Sequence, residues 1–464
     1  MPSRPTAVPP GTTRSGRRAT PTPEQARRVF YALTLTRWFP VGFVVGLFIL
    51  WAFELGLSTT QALAAMSAIG FAVALLELPT SGFTDVLGRR PVYLVAAVAQ
   101  VAAALAYVTA GSWGAYLAAG VLMGIFRALE SGPLEAWFVD AVHVEEPGAD
   151  VDQPLARAGT LIGASMAVGS LLSGALVWWH PFESRSALEL PMALYVVGAA
   201  VHLVAVAALM HEVRHLRSDA ATPELAEAGQ GQPKGAGQWQ RVRASVAATP
   251  SVIASGLGIL RTSAALRGLV LASGVTAIVM VVQENFVPIR LAEMLGSNAT
   301  AGAWMGPVAA FAWGAFSAGS AAVGLLARRV GVARAAIIGR GLHALGSLLI
   351  GVVTGPVALV AVYLLTYGVF GSGAMDRALT HRVATAANRA TVLSLASLVS
   401  FLAFAIAAPL LGLLAERTSS STAVVVAALT GLLALPCYLP ALRAERVRDG
   451  QGRGGSAHSD TVGP

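Results

Sequence analysis

Three groups of polar residues interrupt long apolar sequence and could do chemistry. Arg127-Ala-Leu-Glu130 places a guanidinium and a carboxylate three residues apart, on one face of a helix. Such a pair can handle a proton. The arginine favours the ionised carboxylate, desolvation favours the neutral one, and a change in water access shifts the balance. The other reading is a static ion pair that braces its helix. Gln283-Glu284-Asn285 sets a carboxylate between two amides deep in a second apolar run. Polar groups there are costly, which points to a proton or substrate site; the bland reading sets them close to the end of their helix. His211-Glu212-Val-Arg214-His215 fits His-Glu-x-x-His, in which two histidines one turn apart hold zinc and the glutamate serves as base. It starts where an apolar run ends, leads into polar sequence, and has no third ligand beside it. A membrane zinc metalloprotease is therefore a remote alternative, and a basic cluster at a membrane surface is the plainer one.

Two further fragments carry little. Gly339-Arg340-Gly341 resembles part of a dinucleotide fingerprint but sits inside an apolar run, where no Rossmann sheet can form. No Gly-Lys-Ser/Thr phosphate loop occurs, which argues against ATP as the energy source. The expectation is a protein that is not an enzyme, with no metal and no cofactor. His202 and His343 lie inside apolar runs and read as packing histidines.

The elements that must position these residues are membrane helices. Twelve apolar segments fall at about 29–53, 59–80, 91–110, 114–137, 158–180, 188–210, 266–289, 302–326, 334–352, 356–375, 391–415 and 421–441. Each is near the ~20 residues that cross a bilayer. The 464 residues are 55% hydrophobic and 12% charged, about half the charge of a soluble domain. The only cysteine is Cys437, so no disulfide forms within the chain. The net charge of +8 is spread along the chain. That pattern marks topology and excludes a nucleic-acid surface.

Arginines cluster in the N-terminal tail, after spans 2, 8 and 10, in the middle connection and in the C-terminal tail. The positive-inside rule makes those segments cytoplasmic, both termini included. The connection after span 4 is the exception, since Glu145, Glu146, Asp150 and Asp152 outnumber Arg157, and acidic residues weigh little in the rule. Tryptophans such as Trp51, Trp113, Trp178, Trp179 and Trp304 fall near expected outer ends. The expected organisation is a disordered tail over 1–28, a six-helix half over 29–216, a cytoplasmic linker over 217–260, a second six-helix half over 261–442 and a disordered tail over 443–464. The linker holds one amphipathic stretch near 239–246. The halves repeat in sequence. Leu87-Gly-Arg-Arg90 matches Leu326-Ala-Arg-Arg329, Gly124-Ile-Phe matches Gly368-Val-Phe, and the segment opening at Arg157 matches the one opening at Arg389. A parallel repeat of this kind places a substrate cavity between the halves near mid-membrane.

The turn after span 2 reads Ser81-Gly-Phe-Thr-Asp85-Val-Leu-Gly88-Arg89-Arg90. It resembles the major facilitator superfamily pattern Gly-x-x-x-Asp-Arg-x-Gly-Arg-Arg/Lys, with Ser81 and Val86 as departures. The resemblance covers residues 27–442. It implies an all-α membrane fold of twelve helices in two pseudo-symmetric halves, and a cytoplasmic latch made by Asp85, Gly88, Arg89 and Arg90. Arg127-Ala-Leu-Glu130-Ser131 resembles the family's Arg-x-x-Gln-Gly motif, which implies proton coupling by Arg127 and Glu130, with Glu284 as a second buried carboxylate. Gln283, Glu284 and Asn285 are the substrate-binding candidates. Gly163…Gly169-Ser170-Leu-Leu-Ser173-Gly174 is a loose form of the antiporter motif of span 5. The resemblance to bacterial drug/proton antiporters implies proton-coupled efflux of a small amphipathic compound or drug across the inner membrane, by a functional monomer. A proton symporter or facilitator importing a small solute is the alternative.

Overall fold

In the computed structural model the described residues are 21–80, 83–212, 238–385 and 387–446. The side chain of Asp85, and Arg214 and His215, lie outside them. Among the described residues all regular structure is helical. The spans are 1 (Pro23–Gly42 with Leu47–Glu54, bent by 45°), 2 (Thr59–Thr80), 3 (Arg89–Thr109), 4 (Trp113–Glu145), 5 (Asp152–Trp179), 6 (Glu189–Leu209), 7 (Ala264–Leu295), 8 (Asn298–Val330), 9 (Val332–Val352), 10 (Pro356–Val383), 11 (Arg389–Arg417) and 12 (Ser420–Arg446). Local chemistry starts many of them. Ser112, Ser263, Ser297 and Ser419 each accept a backbone N–H in the first turn of spans 4, 7, 8 and 12, satisfying a donor that a helix start leaves free.

The middle connection differs from the expected polar linker. A helix covers Gln238–Thr262. Its last turns carry Ile253, Ile259 and Leu260 half-buried, and Gly256 packs on Leu395 and Thr391 of span 11. The apolar spacing extends well beyond the short stretch visible as amphipathic.

Packing divides the bundle. Near the end opposite the termini, one apolar core joins both halves, running from Phe43, Leu47 and Leu50 through Tyr107 and Met192 to Val282, Phe286, Met305 and Leu411. At the end that carries the termini the halves have separate cores. Phe30, Tyr93, Trp137 and Phe138 build the first, and Leu269, Val332, Leu379 and Tyr438 the second. The halves therefore share one core at the far end and have separate cores toward the terminal end, and the space between these is a cleft that the contact of span 2 with span 11 closes on one side. The tightest seam is between spans 5 and 8. A Cβ on Gly174 would lie 3.0 Å from the Cα of Gly306, so only glycine allows this approach. Glu54 with Asn298 (3.0 Å) and Glu416 with the Thr60 N–H (2.7 Å) add polar ties at the far end.

The four helices that repeat as 1, 4, 7 and 10 are all interrupted. Span 1 breaks before Gly46, span 4 at Ser131-Gly132, span 7 in a π-helical turn over Val282–Phe286, and span 10 at Gly371-Ser372. The Gly124 and Gly368 match holds in three dimensions: Gly124 packs on Ile69 and Ala72 of span 2, and Gly368 on Ala315 of span 8.

The other repeat is displaced from its sequence match. Gly88 (φ 94°, ψ 159°) caps span 3, and its structural counterpart is Gly331 (φ 90°, ψ 158°), which caps span 9. Leu326-Ala-Arg-Arg329 lies within span 8 instead. Each cap is completed by a carboxylate at the terminal end of the last span of its half, Glu212 just beyond span 6 and Glu445 within span 12. Glu212 accepts from the N–H groups of Arg89 and Arg90 at 3.1 and 3.0 Å. Glu445 accepts from those of Val332 and Ala333 at 3.0 and 3.1 Å. A negative group at a helix N-terminus meets free N–H donors and the positive end of the helix dipole.

Candidate functional site

Span 4 delivers Arg127 and Glu130 to different places. Glu130 is the last residue before the Ser131-Gly132 break, and its carboxylate reaches span 1. Arg37 Nε donates to Oε1 at 2.6 Å and Nη2 to Oε2 at 2.8 Å. The guanidinium lies 4.5 Å from the Phe126 ring and 4.7 Å from the Trp38 ring. Bidentate geometry and ring stacking are what a buried arginine needs. The pairing expected within span 4 is therefore replaced by one between spans. Arg127 is exposed to the cleft and makes no hydrogen bond or ion pair among the described residues. Its charge acts on two carboxylates, Glu77 of span 2 and Glu284 of span 7.

The π-helical turn sorts the three polar residues of span 7. Gln283 and Asn285 are buried. Gln283 donates through Nε2 to Ser347 Oγ of span 9 at 3.1 Å. Both amides face packed helices and not the cleft. Glu284 is accessible to solvent although protein surrounds it, which is the position of a side chain on a cleft wall. A π turn widens the helix locally and often marks a functional site. Glu77 accepts from Ser397 Oγ of span 11 at 3.1 and 3.0 Å, a tie between the halves.

Span 10 turns Tyr363 and Tyr367 toward Glu284, close enough for its charge to act on both. Their rings belong to a continuous aromatic set. Tyr363 and Tyr367 are 5.5 Å apart, and Tyr367 lies 6.1 Å from Phe316, 6.1 Å from Phe370 and 6.3 Å from Trp313. One side of the site is thus charged, by Arg127 and Glu77. The other carries Glu284 beside aromatic rings.

A second buried ion pair sits in the second half, where none was expected. Arg340 of span 9 donates to Asp376 of span 10, and Tyr438 of span 12 donates to the same carboxylate at 2.6 Å. Arg340 was visible only as the centre of Gly339-Arg340-Gly341, and Asp376 was not singled out. Arg37 was not singled out at all. A rule that every charge within an apolar run needs a partner would have flagged Arg37 and Arg340.

The latch residues hold the first half together. Arg89 Nε pairs with Asp140 Oδ2 at 3.4 Å, and Arg90 donates to the carbonyls of Met210 and Ala207 at 2.5 and 3.0 Å. The same surroundings absorb the zinc motif. Both Glu212 oxygens cap span 3, and the His211 carbonyl accepts from Trp137 Nε1 at 2.7 Å. Among the described residues no group of histidine, cysteine and carboxylate side chains could hold a metal ion. His202 Nδ1 is 2.9 Å from Thr36 Oγ1, and His343 packs against the Phe370 ring.

Comparison with known proteins agrees with this architecture. No curated protein matches the chain in sequence. Among solved structures, the nucleoside transporter NupG superposes with a TM-score of 0.69 at 11% identity, covering 90% of this chain and 99% of that one. A peptide transporter of the POT family, solved with sulfate, gives 0.66 at 16%, covering 91% and 95%. The human organic anion transporter MFSD10 (TETRAN) gives 0.55 at 16%, covering 90% and 99%. The family model for the Major Facilitator Superfamily matches residues 30–379. The chain therefore belongs to the Major Facilitator Superfamily and is a multi-span membrane transporter, not an enzyme.

Proposed function

We propose that this transporter exports a small amphipathic compound in exchange for protons by alternating access, with Glu284 as the proton site and Arg127 as its electrostatic partner. The observation that carries the reading is the pair of charges that make no hydrogen bond among the described residues, Arg127 from the first half and Glu284 from the second, set across one cleft. A carboxylate on a cleft wall gains and loses water as the cleft opens and closes, and its proton affinity follows. Glu130, held at two points by Arg37, acts as a brace between spans 1 and 4. The glycines of span 5 that relate the chain to antiporters occupy its tightest contacts, Gly169 on Gly42 and Gly174 on Gly306. The arginine distribution supports cytoplasmic termini in the plasma membrane, so the cleft would face the cytoplasm. Asp85 would complete the latch on that side.

The test is transport into liposomes containing the purified protein, using a panel of fluorescent amphipathic dyes. An acidic lumen should drive dye uptake, and collapse of the pH gradient by an ionophore should abolish it. Uptake driven only by an alkaline lumen would indicate symport. Uptake indifferent to the gradient would refute proton coupling.

A further inference from the structure

We infer that the helix Gln238–Thr262 of the middle connection is a strap that binds the headgroups of anionic phospholipids and carries that binding to both halves. Its 25 residues include three arginines and no aspartate or glutamate. Its last turns lie in the boundary layer of the bilayer. The helix runs directly into Ser263, the cap of span 7. A Cβ on Gly256 would lie 2.3 Å from Leu395 Cδ1 and 3.1 Å from Thr391 Cγ2, so this turn is pressed against span 11. Leu395 is six residues into that span, about 9 Å along its axis and already inside the apolar segment. The turn around Gly256 is therefore at the depth where headgroups meet acyl chains.

The two faces of the helix differ. Ile253, Gly256, Ile259 and Leu260 are buried or half-buried, whereas Ala254, Ser255, Leu257 and Gly258 are exposed, Leu257 by 47%. Arg243 and Arg261 are exposed toward the two ends. Arg267, in the first turn of span 7, is exposed as well and donates through Nη1 to the Leu260 carbonyl at 3.3 Å. Among the described residues none of these three arginines forms an ion pair. Guanidinium groups flanking an exposed apolar residue suit a helix lying in the plane of the interface, with its charges reaching the phosphates. Each arginine near the surface adds to the attraction for anionic headgroups. A free phosphate ester has the charge but no acyl chain to cover Leu257, which favours the lipid. The helix touches the first half at span 2 and the short helix Phe83–Leu87, and the second half at spans 7 and 11. Headgroup binding along it therefore acts on both halves, across the seam where Glu77 meets Ser397.

The test uses the full chain with Cys437→Ser, which removes the only cysteine, and with Leu257→Cys carrying a fluorophore. The protein is placed in phosphatidylcholine vesicles with and without phosphatidylglycerol. A nitroxide near the headgroup is carried by one lipid or the other at equal mole fraction. Nitroxide on phosphatidylglycerol should quench the fluorophore several-fold more than nitroxide on phosphatidylcholine, and added salt should shrink the difference. Arg243→Gln with Arg261→Gln should make the two lipids equal, whereas Arg243→Lys with Arg261→Lys should keep the preference. Soluble glycerol phosphate should not compete. Spin-label distances between the terminal ends of spans 2 and 11 should change when phosphatidylglycerol is added, and should stay fixed in the double glutamine variant. Equal quenching by both lipids before any arginine is replaced, or quenching by neither, would overturn the inference. Loss of the preference on adding glycerol phosphate would overturn the lipid in favour of a free phosphate ester. Distances indifferent to phosphatidylglycerol in the chain with its arginines intact would overturn the action on both halves.

Discussion

The two halves of the molecule solve the same structural problems with different residues. Each buries one arginine against one carboxylate. In the first half Arg37 and Glu130 join spans 1 and 4; in the second, Arg340, Asp376 and Tyr438 join spans 9, 10 and 12. The caps, by contrast, are closely alike: a glycine at positive φ and a glutamate at the terminal end of the half's last span, Glu212 just past span 6 and Glu445 inside span 12. What repeats closely is the scaffold. What differs is what each half offers the cleft, Arg127 and Glu77 from one side and Glu284 with an aromatic wall from the other. A parallel repeat keeps the hinges symmetric and leaves the binding surface free to specialise.

The buried pairs give the largest expected effect. Removing one partner of a buried ion pair costs about 3–5 kcal/mol, because the other charge is left stranded. Arg37→Ala and Arg340→Ala should each lower the thermal unfolding temperature in detergent. Arg340→Ala should lower it more, since Asp376 and Tyr438 both lose their arrangement. If Arg37→Ala unfolds like the wild type, the brace assigned to Glu130 fails and the comparison with it.

Next come the cap glycines. Forcing a side chain into the left-handed region costs roughly 1–2 kcal/mol. A Cβ on Gly88 would lie 2.6 Å from Glu212 Oε1, whereas one on Gly331 would lie 3.2 Å from Glu445 Oε2. Gly88→Ala should therefore destabilise more than Gly331→Ala in the same melts. The reverse order would show that the two caps are not equivalent in the way their dihedral angles suggest.

Smaller effects follow at the carboxylates themselves. Glu212→Gln and Glu445→Gln each lose a charged cap, worth about 0.5–2 kcal/mol. Hydrogen exchange at the amides of Arg89 and Arg90 should quicken in the first variant only, and at Val332 and Ala333 in the second only. Ser397→Ala removes the hydroxyl that ties span 11 to Glu77, a loss of about 1 kcal/mol. It should shift the balance between cleft states, read by spin-label distances across the terminal ends of spans 2 and 11, with little change in melting.

Much of the fold was legible because apolar length is a strong signal. All twelve spans lie where hydropathy puts them. Spans 4, 8 and 10 run further toward the terminal end, to Glu145, Val330 and Val383. Charged residues such as Asp140, Arg328 and Asp376 end the apolar window there without ending the helix. The site was legible in part. Arg127 and Glu284 face one cleft, but the partner of Glu130 is 93 residues away on span 1. No helical period encodes that distance. The separation of Gln283 and Asn285 from Glu284 depends on a π turn that hydropathy does not reveal. The Gly-Arg-Arg repeat misled because local similarity carried Leu326 into register, whereas the conformation of Gly331 marks the true counterpart of Gly88.

The central claim is that proton chemistry belongs to the cleft carboxylate and not to the braced one. It is tested most directly by comparing Glu284→Gln with Glu130→Gln in liposomes, at equal protein content and with an imposed pH gradient. Glu284→Gln should lose gradient-driven dye accumulation and keep downhill dye exchange. Glu130→Gln should be less stable to heat, because Arg37 loses a charged partner, yet its folded fraction should still respond to the gradient. Full gradient-driven accumulation by Glu284→Gln, with coupling lost in Glu130→Gln, would contradict the account.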